Sequence, residues 1–254
     1  MFDFLPDYSS LQWWILASVA FFVGISKTGL PGIGIIIVPL LAMVFPSRMS
    51  TGLLLPILAM ADIFAVSYYR RHADWKIILK LLPWALAGIG IGTVVVRQIN
   101  DEIMRPLIGS IILVLLIMNY FRQKYWTDGD KVPSNWVFAA VMGLAAGLTT
   151  QLANAAGPIM VIYLLSMRLP KDKYIGTGAW YFLILNWLKI PLFILDGRIS
   201  VETVKADLIT LPLIAAGAFL GIFILKKIPL KWFNIILQVL AAATAVKLTL
   251  MWFG

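Results

Sequence analysis

Long apolar stretches joined by short polar loops make up almost the whole chain. A helix needs about 20 apolar residues to cross the hydrocarbon core of a bilayer, and most of these stretches approach that length. The pattern predicts ten membrane helices, at residues 11–26, 33–45, 51–69, 77–96, 103–121, 136–152, 157–167, 174–195, 203–225 and 232–252.

The ten stretches form two sets of five, separated by the longest polar stretch of the chain. We therefore predict a first membrane repeat at 1–125, an inter-repeat loop at 126–135 and a second membrane repeat at 136–254. Because five crossings are an odd number, the second repeat is expected to enter the membrane upside down relative to the first. The predicted fold is all-α, with two inverted-topology repeats.

The two halves also align in sequence. A segment that begins at Pro46 (PSRMSTG) matches one that begins at Pro170 (PKDKYIG). The match continues downstream in two glycine pairs, Gly88 with Gly92 and Gly217 with Gly221. Small residues four positions apart are typical of closely packed membrane helices, so we expect these pairs at helix interfaces.

Composition agrees with a membrane protein and excludes several kinds of site. Hydrophobic residues make up 61% of the chain and charged residues 13%, with a mean hydropathy of +0.91, which leaves too little polar surface for a soluble globule. The chain has no cysteine and one histidine, so thiolate metal sites are excluded and a histidine metal site is not expected. Neither a cofactor nor a set of catalytic residues is predicted, and an enzyme is not expected.

The formal net charge is +9, but the basic residues lie in loops at the ends of apolar stretches. The lipid bilayer, rather than nucleic acid, is therefore the expected partner. Loops near Arg70, Arg122 and Lys171 belong to the side with more lysine and arginine, and Arg48 and Arg97 belong to the other side. The positive-inside rule places the richer side in the cytoplasm and both termini outside a cell (inner) membrane.

Each half opens with a pair of short apolar pieces, interrupted at 24–34 (GISKTGLPGIG) and at 147–158 (GLTTQLANAAGP). Glycine and proline interrupt helical hydrogen bonds, and unpaired N–H groups persist in a membrane only where they line a cavity. A helix that restarts at Pro31 or Pro158 would direct its first N–H groups and its positive dipole end at the break, which suits an anion. The pairs are either full crossings or re-entrant hairpins.

Lys27 is the charged residue of the first break. Buried charge in a membrane usually has a function, so we predict contact between Lys27 and an anion, with Thr28, Gly29 and Gly32 adding hydroxyl and backbone donors. The alternative is that Lys27 extends to the membrane interface and has no role in binding.

Further polar candidates lie in the second half. Gln151 and Asn154, with Gly157 at the end of the break, are predicted to complete the pocket, although such side chains also make ordinary contacts between helices. Asn186 and Lys189 share a helical face and together suit an oxyanion. The alternative for Lys189 is that it extends to the outer interface.

Asp62 is interpreted as the one carboxylate well inside an apolar stretch. An isolated aspartate at that depth needs a partner or a proton. We predict a coupling or counter-charge role for it, and a structural ion pair is the alternative.

The sequence resembles the TauE/SafE sulfite exporter family, also called the toluene-sulfonate uptake permease family, over nearly its whole length. The resemblance rests on the two-half organisation, on Gly157 with Pro158, and on a glycine-rich opening with one basic residue, Gly24, Lys27, Gly29, Gly32 and Gly34. It implies transport of sulfite, thiosulfate, sulfoacetate or another organosulfonate.

These observations predict a secondary transporter that moves a small anion by alternating access, with the proton as the candidate coupling ion. An anion channel and a non-transporting scaffold are the alternatives. A scaffold would not need breaks and polar residues at matching places in both halves, and a channel would need a continuous polar stripe that the sequence lacks. The sequence indicates neither the direction of transport nor an oligomeric state.

Overall fold

The computed structural model describes residues 5–29, 34–125, 135–224 and 231–253. In these ranges the chain forms ten α-helices and no strand. The helices are α1 (Ser10–Thr28), α2 (Gly34–Val44), α3 (Ser47–Tyr69), α4 (Trp75–Gln98), α5 (Asp101–Tyr125), α6 (Trp136–Ala153), α7 (Gly157–Ser166), α8 (Lys171–Leu195), α9 (Val201–Ile224) and α10 (Lys231–Thr249). Each predicted stretch corresponds to one helix, which confirms their number and order.

Among the described residues, seven helices are long and apolar enough to cross a membrane, so the chain is an all-α, multi-pass membrane protein. Helix α2 has 11 residues and α7 has 10. At about 1.5 Å per residue each covers only about half of the hydrocarbon core. The prediction that both members of each opening pair are short was wrong for the first members, because α1 has 19 residues and α6 has 18.

Gly24 and Gly147 were predicted to begin the two breaks, but both lie inside helices. Their role is to let another backbone approach. A Cβ on Gly24 would overlap the Ile214 carbonyl in α9, and a Cβ on Gly147 would overlap the Ala85 carbonyl in α4. The second break is therefore confined to residues 154–156. Pro31, Gly32 and most of the predicted inter-repeat loop lie outside the described residues.

The most extensive helix contacts are those of α1 with α9 and of α4 with α6. The predicted glycine pairs lie in these two interfaces. A Cβ on Gly88 would overlap the Leu144 carbonyl in α6, and a Cβ on Gly217 would overlap the Phe21 carbonyl in α1. Because glycine has no side chain, the two backbones of each pair touch, which confirms the predicted close packing.

Gly88→Ala is expected to lower the free energy of unfolding by about 1–3 kcal/mol, because the new methyl group forces α4 away from α6. Gly90→Ala is the matched control, since its Cβ would meet no atom within 4 Å and alanine favours the helix by about 0.5–1 kcal/mol. Thermal unfolding in detergent compares the two variants. A Gly88→Ala protein as stable as Gly90→Ala would contradict the close contact.

Two further pairs complete the bundle, α3 with α8 and α5 with α10. Helix α3 is the most buried of the long helices. The short helices α2 and α7 begin inside the bundle, near the crossing of α3 and α8. The helix breaks therefore lie around the centre of the protein, where the polar residues of both halves meet.

Candidate functional site

A cavity of about 240 Å³ lies at the centre of the bundle. Its wall combines the end of α1, the first residues of α2 and α7, and side chains from α3, α5 and α8. It extends from the buried Asp62 and Asn186 to Gln123, which is exposed near the end of α5. The cavity thus connects the middle of the bundle with one end of it.

Lys27 reaches the cavity from the last turn of α1. Its Nζ lies 2.7 Å from Oδ1 of Asp62 and 4.3 Å from the centre of the Phe182 ring. Because Cα–Cβ bonds tilt toward the N-terminus of a helix, a lysine at the end of α1 points back into the bundle. The geometry excludes the alternative in which Lys27 extends to the interface, and its contact with an anion stays a prediction.

Asp62 is fully buried in α3. Its Oδ1 pairs with Lys27, and its Oδ2 accepts a hydrogen bond of 2.6 Å from Nδ2 of Asn186 in α8. Three helices therefore meet at this carboxylate. The partner that the sequence required for Asp62 is Lys27, with Asn186 as a second donor.

Lys189 is also fully buried, which excludes the alternative in which it extends to the outer interface. Its Nζ donates to the carbonyl and the hydroxyl of Thr150, at 3.0 and 2.7 Å, and to Oδ1 of Asn154 at 2.7 Å. All three acceptors are neutral. Thr150 and Asn154 line the cavity whereas Lys189 lies behind them, and a contact between Lys189 and an anion stays a prediction.

Asn154 ends α6 in the left-handed conformation, with φ 53° and ψ 30°, which asparagine tolerates. Its side-chain oxygen accepts from Lys189, and Nδ2 donates to the Thr51 carbonyl in α3 at 2.9 Å. The side chain therefore fixes the turn between α6 and α7 against two neighbouring helices. Much of its hydrogen-bonding capacity is used within the protein.

Helix α7 begins at Gly157, with Pro158 in its first turn, which confirms the predicted restart. No side chain caps this end, and both residues line the cavity. A Cβ on Gly157 would meet nothing within 4 Å, so this position faces open space. The first backbone N–H groups of a helix have no partner within it, and here they lie beside the cavity.

Some of the other predicted residues line the cavity and some do not. Thr28 and Gly29 line the cavity, although the Thr28 hydroxyl also lies 2.8 Å from the Ala218 carbonyl. Gln151 does not line it: its Nε2 donates to the Thr93 hydroxyl in α4 at 2.9 Å. The alternative of a contact between helices is correct for Gln151, and Gly32 lies outside the described residues.

The exposed end of the cavity is lined by polar residues that the sequence analysis did not select as candidates, Asn119, Arg122, Gln123 and Tyr174. The Nε of Arg122 donates to Oδ1 of Asn119 at 3.0 Å. A guanidinium group therefore lines this end of the cavity.

At the opposite end of the bundle, three arginines surround the buried Asp196. Arg97 and Arg198 each pair with its carboxylate, at 3.0 and 3.2 Å, and Arg48 donates to its backbone carbonyl. Arg198 is fully buried and also donates to the Gln151 carbonyl at 2.9 Å. Burial lowers the pKa of Arg198 to about 10, with Arg48 adding to the fall and Asp196 opposing it, so it stays charged at neutral pH.

The sequence analysis missed this arginine cluster, because it interpreted Arg48, Arg97 and Arg198 only as loop charges. It was also wrong that Asp62 is the one carboxylate inside an apolar stretch. Asp207, the seventh residue of α9, is 8% exposed. The sequence analysis did not select Asp207, which lies against Pro56, Ile57 and Met60 of α3.

Comparison with known proteins places the chain in a family. The family model described as "Sulfite exporter TauE/SafE" matches residues 16–248, nearly the whole of the 254-residue chain. No curated protein and no solved structure matches the chain. The matched family is one of membrane transporters, in agreement with the apolar helices and the central cavity. The chain belongs to the sulfite exporter TauE/SafE family.

Proposed function

We propose that the chain is a secondary transporter that carries a small sulfur oxyanion by alternating access, with its binding site at Lys27. The observation that carries this proposal is the set of charged side chains at the central cavity. Lys27 and Lys189 lie in or directly behind its wall, with Asp62 as the carboxylate between the helices. Two ammonium groups against one carboxylate leave a net positive charge where an anion would bind.

The anion would bind to Lys27 in competition with Asp62. The Lys27 ammonium donates to Asp62 and lies over the Phe182 ring. An oxyanion in the cavity would form charge-assisted hydrogen bonds with this ammonium, and an ionised Asp62 beside it would repel the anion. Protonation of Asp62 removes this repulsion. The pair therefore supports proton-coupled transport, in which a proton and an anion bind together.

The backbone would supply the remaining donors. The uncapped start of α7 at Gly157 borders the cavity, and so does Gly34, where α2 begins. Helix N-termini bind oxyanions through free N–H groups and the helix dipole. Sulfite, thiosulfate, sulfoacetate and other organosulfonates carry several acceptor oxygens, and the family description names sulfite. These anions are the proposed substrates.

Two inverted repeats, at 1–125 and 136–254, are part of the proposal, because alternating access is commonly a movement of one repeat against the other. Helices α1 and α6 are the first of each half, and each packs against the fourth helix of the other half. The aligned Pro46 and Pro170 precede α3 and α8 with similar dihedrals, φ −51° and ψ 141° against φ −53° and ψ 148°.

Gly52 and Gly176, which occupy matching positions in the two halves, also make close contacts with the opposite half. A Cβ on Gly52 of α3 would overlap the Arg198 carbonyl, just after α8. A Cβ on Gly176 of α8 would press on the backbone of His72, just after α3. The beginning of α3 therefore packs against the segment that follows α8, and the beginning of α8 packs against the segment that follows α3. A two-fold relation between inverted repeats would require this reciprocal contact.

The exposed end of the cavity lies on the side with more basic loops, which the positive-inside rule assigns to the cytoplasm. The arginine cluster around Asp196 lies on the other side. We therefore propose that the cavity is open to the cytoplasm and closed to the outside, with both termini outside the cell membrane. A cavity that is open at one end and closed at the other by the buried Arg198–Asp196 ion pair favours a carrier over a channel.

Uptake into proteoliposomes tests this function. Saturable uptake of labelled sulfite, thiosulfate or sulfoacetate is expected, and Lys27→Met should weaken the affinity about ten-fold, which corresponds to one charged hydrogen bond of about 1.5 kcal/mol. Lys80→Met, which removes an exposed lysine of α4, is the control and should match the wild type. No uptake of any of these anions, or equal behaviour of the two variants, would contradict the proposal.

A further inference from the structure

Asp207 has an unusual environment for a carboxylate. It lies in the first half of α9, against α3, and neither of its two side-chain oxygens has a hydrogen-bond partner among the residues that the structure describes. A cavity of about 110 Å³ adjoins it, with Pro56, Ile57 and Met60 of α3 on one side. The rest of the wall consists of apolar side chains of α9. This cavity is separate from the one that contains Lys27.

In the described part of the chain, few ionisable groups face this carboxyl group. The wall from α3 is apolar, and the buried charges at Asp62 and Lys27 pair with each other at the central cavity. Glu202 and Lys205 are on α9 itself, toward its beginning.

Tyr8, in the segment before α1, is the group from another element that faces Asp207. Burial raises the pKa of the Tyr8 phenol above its usual value, and the nearby Glu202 and Asp207 raise it further. The phenol therefore keeps its proton and supplies no charge that would compensate an ionised Asp207.

An ionised carboxylate in such a place would cost several kcal/mol, because it has lost water without gaining a partner. A hard metal cation would bind poorly here, because it needs several oxygen ligands and Asp207 is the one side chain described in this wall that offers oxygen atoms. A proton needs no further ligand. We propose that Asp207 is a proton-binding site, which holds its proton as a neutral carboxylic acid while α3 and α9 are in contact.

The site adjoins the proposed transport machinery. Helix α9 packs along α1, which ends near Lys27, and α3 carries Asp62. A movement of α3 against α9 that separates the Lys27–Asp62 pair would also admit water to Asp207, whose carboxyl group then loses a proton to become a carboxylate. This link rests on the proposed function, whereas the bound proton itself does not.

Infrared difference spectroscopy detects the proton directly. At pH 7, wild type minus Asp207→Asn is expected to contain the carbonyl stretch of a protonated carboxyl group, shifted to lower frequency in heavy water. Asp62→Asn is the matched control: it removes another buried aspartate, which is paired with Lys27, and should leave this band in place. A spectrum in which Asp207→Asn removes carboxylate bands instead would overturn the proposal.

Labelling of the wild-type protein gives a second measurement that does not require the variant to fold. Dicyclohexylcarbodiimide reacts with protonated carboxyl groups in apolar surroundings, so peptide mass spectrometry at pH 7 should find Asp207 modified at least ten-fold more than the exposed Glu202. Equal modification of the two residues would overturn the proposal. Neither measurement uses a substrate, so a failure to transport sulfur anions would contradict the proposed function alone.

Discussion

Asp62→Asn is expected to tighten anion binding at pH 7 by about 30-fold. Asp62 and the anion compete for the Lys27 ammonium, 2.7 Å from the carboxylate. An anion bound at Lys27 and the ionised Asp62 carboxylate, if about 4 Å apart, repel each other by about 4 kcal/mol at an effective dielectric constant near 20. Lys27 keeps 15% of its side chain exposed, so we halve this energy to about 2 kcal/mol, which is about 30-fold in affinity. Asparagine preserves the shape and can still bond with Asn186.

The same substitution should remove most of the pH dependence of binding. In the wild type, binding should tighten as the pH falls, because a protonated Asp62 no longer competes for Lys27. Isothermal titration calorimetry between about pH 5 and pH 8 would measure this, with methanesulfonate as the ligand since its charge stays constant. Asp172→Asn, an exposed aspartate in the first turn of α8, is the control. Weaker binding by Asp62→Asn would mean that Asp62 supports the anion site instead of competing with it.

The ten helices could be predicted because a long apolar stretch is a local property of the sequence. The function of a glycine is not local. Gly24 and Gly147 resembled helix breakers, yet each lies inside a helix. The backbones of Ile214 and Ala85, from the other half, occupy the space that a side chain would fill, so these positions require glycine. A single sequence does not indicate which backbone lies opposite a glycine.

The candidate site was predicted as a set of residue types and not as a set of contacts. Lys27, Asp62 and Asn186 were each selected for a polar group inside an apolar stretch, and the fold brings all three together. Gln151 satisfied the same criterion but faces α4. Asp207 was missed because its burial depends on apolar residues of α3, about 150 positions earlier in the chain.

Asp196→Ala is expected to open the sealed end of the bundle. The substitution leaves Arg198 buried without its carboxylate, and removal of one partner from a buried ion pair costs about 3–5 kcal/mol. Arg198 can regain hydration only by leaving its place against the Gln151 carbonyl. Because that contact joins the segment after α8 to α6, its loss should let water reach the central cavity from this side.

A chain without cysteine allows this opening to be measured with a single reporter, Gly157→Cys, whose side chain would enter open space in the cavity. In oriented membranes, an impermeant thiol reagent should label it from the side of Gln123 but not from the side of Asp196. Adding Asp196→Ala should speed labelling from the Asp196 side at least ten-fold, whereas Glu202→Ala, which removes an exposed carboxylate at the same end, should not. If Asp196→Ala lowers stability while labelling stays one-sided, the arginine cluster stabilises the fold without closing the cavity. The closed end beside Asp196 must then depend on the packing of α3 against α8.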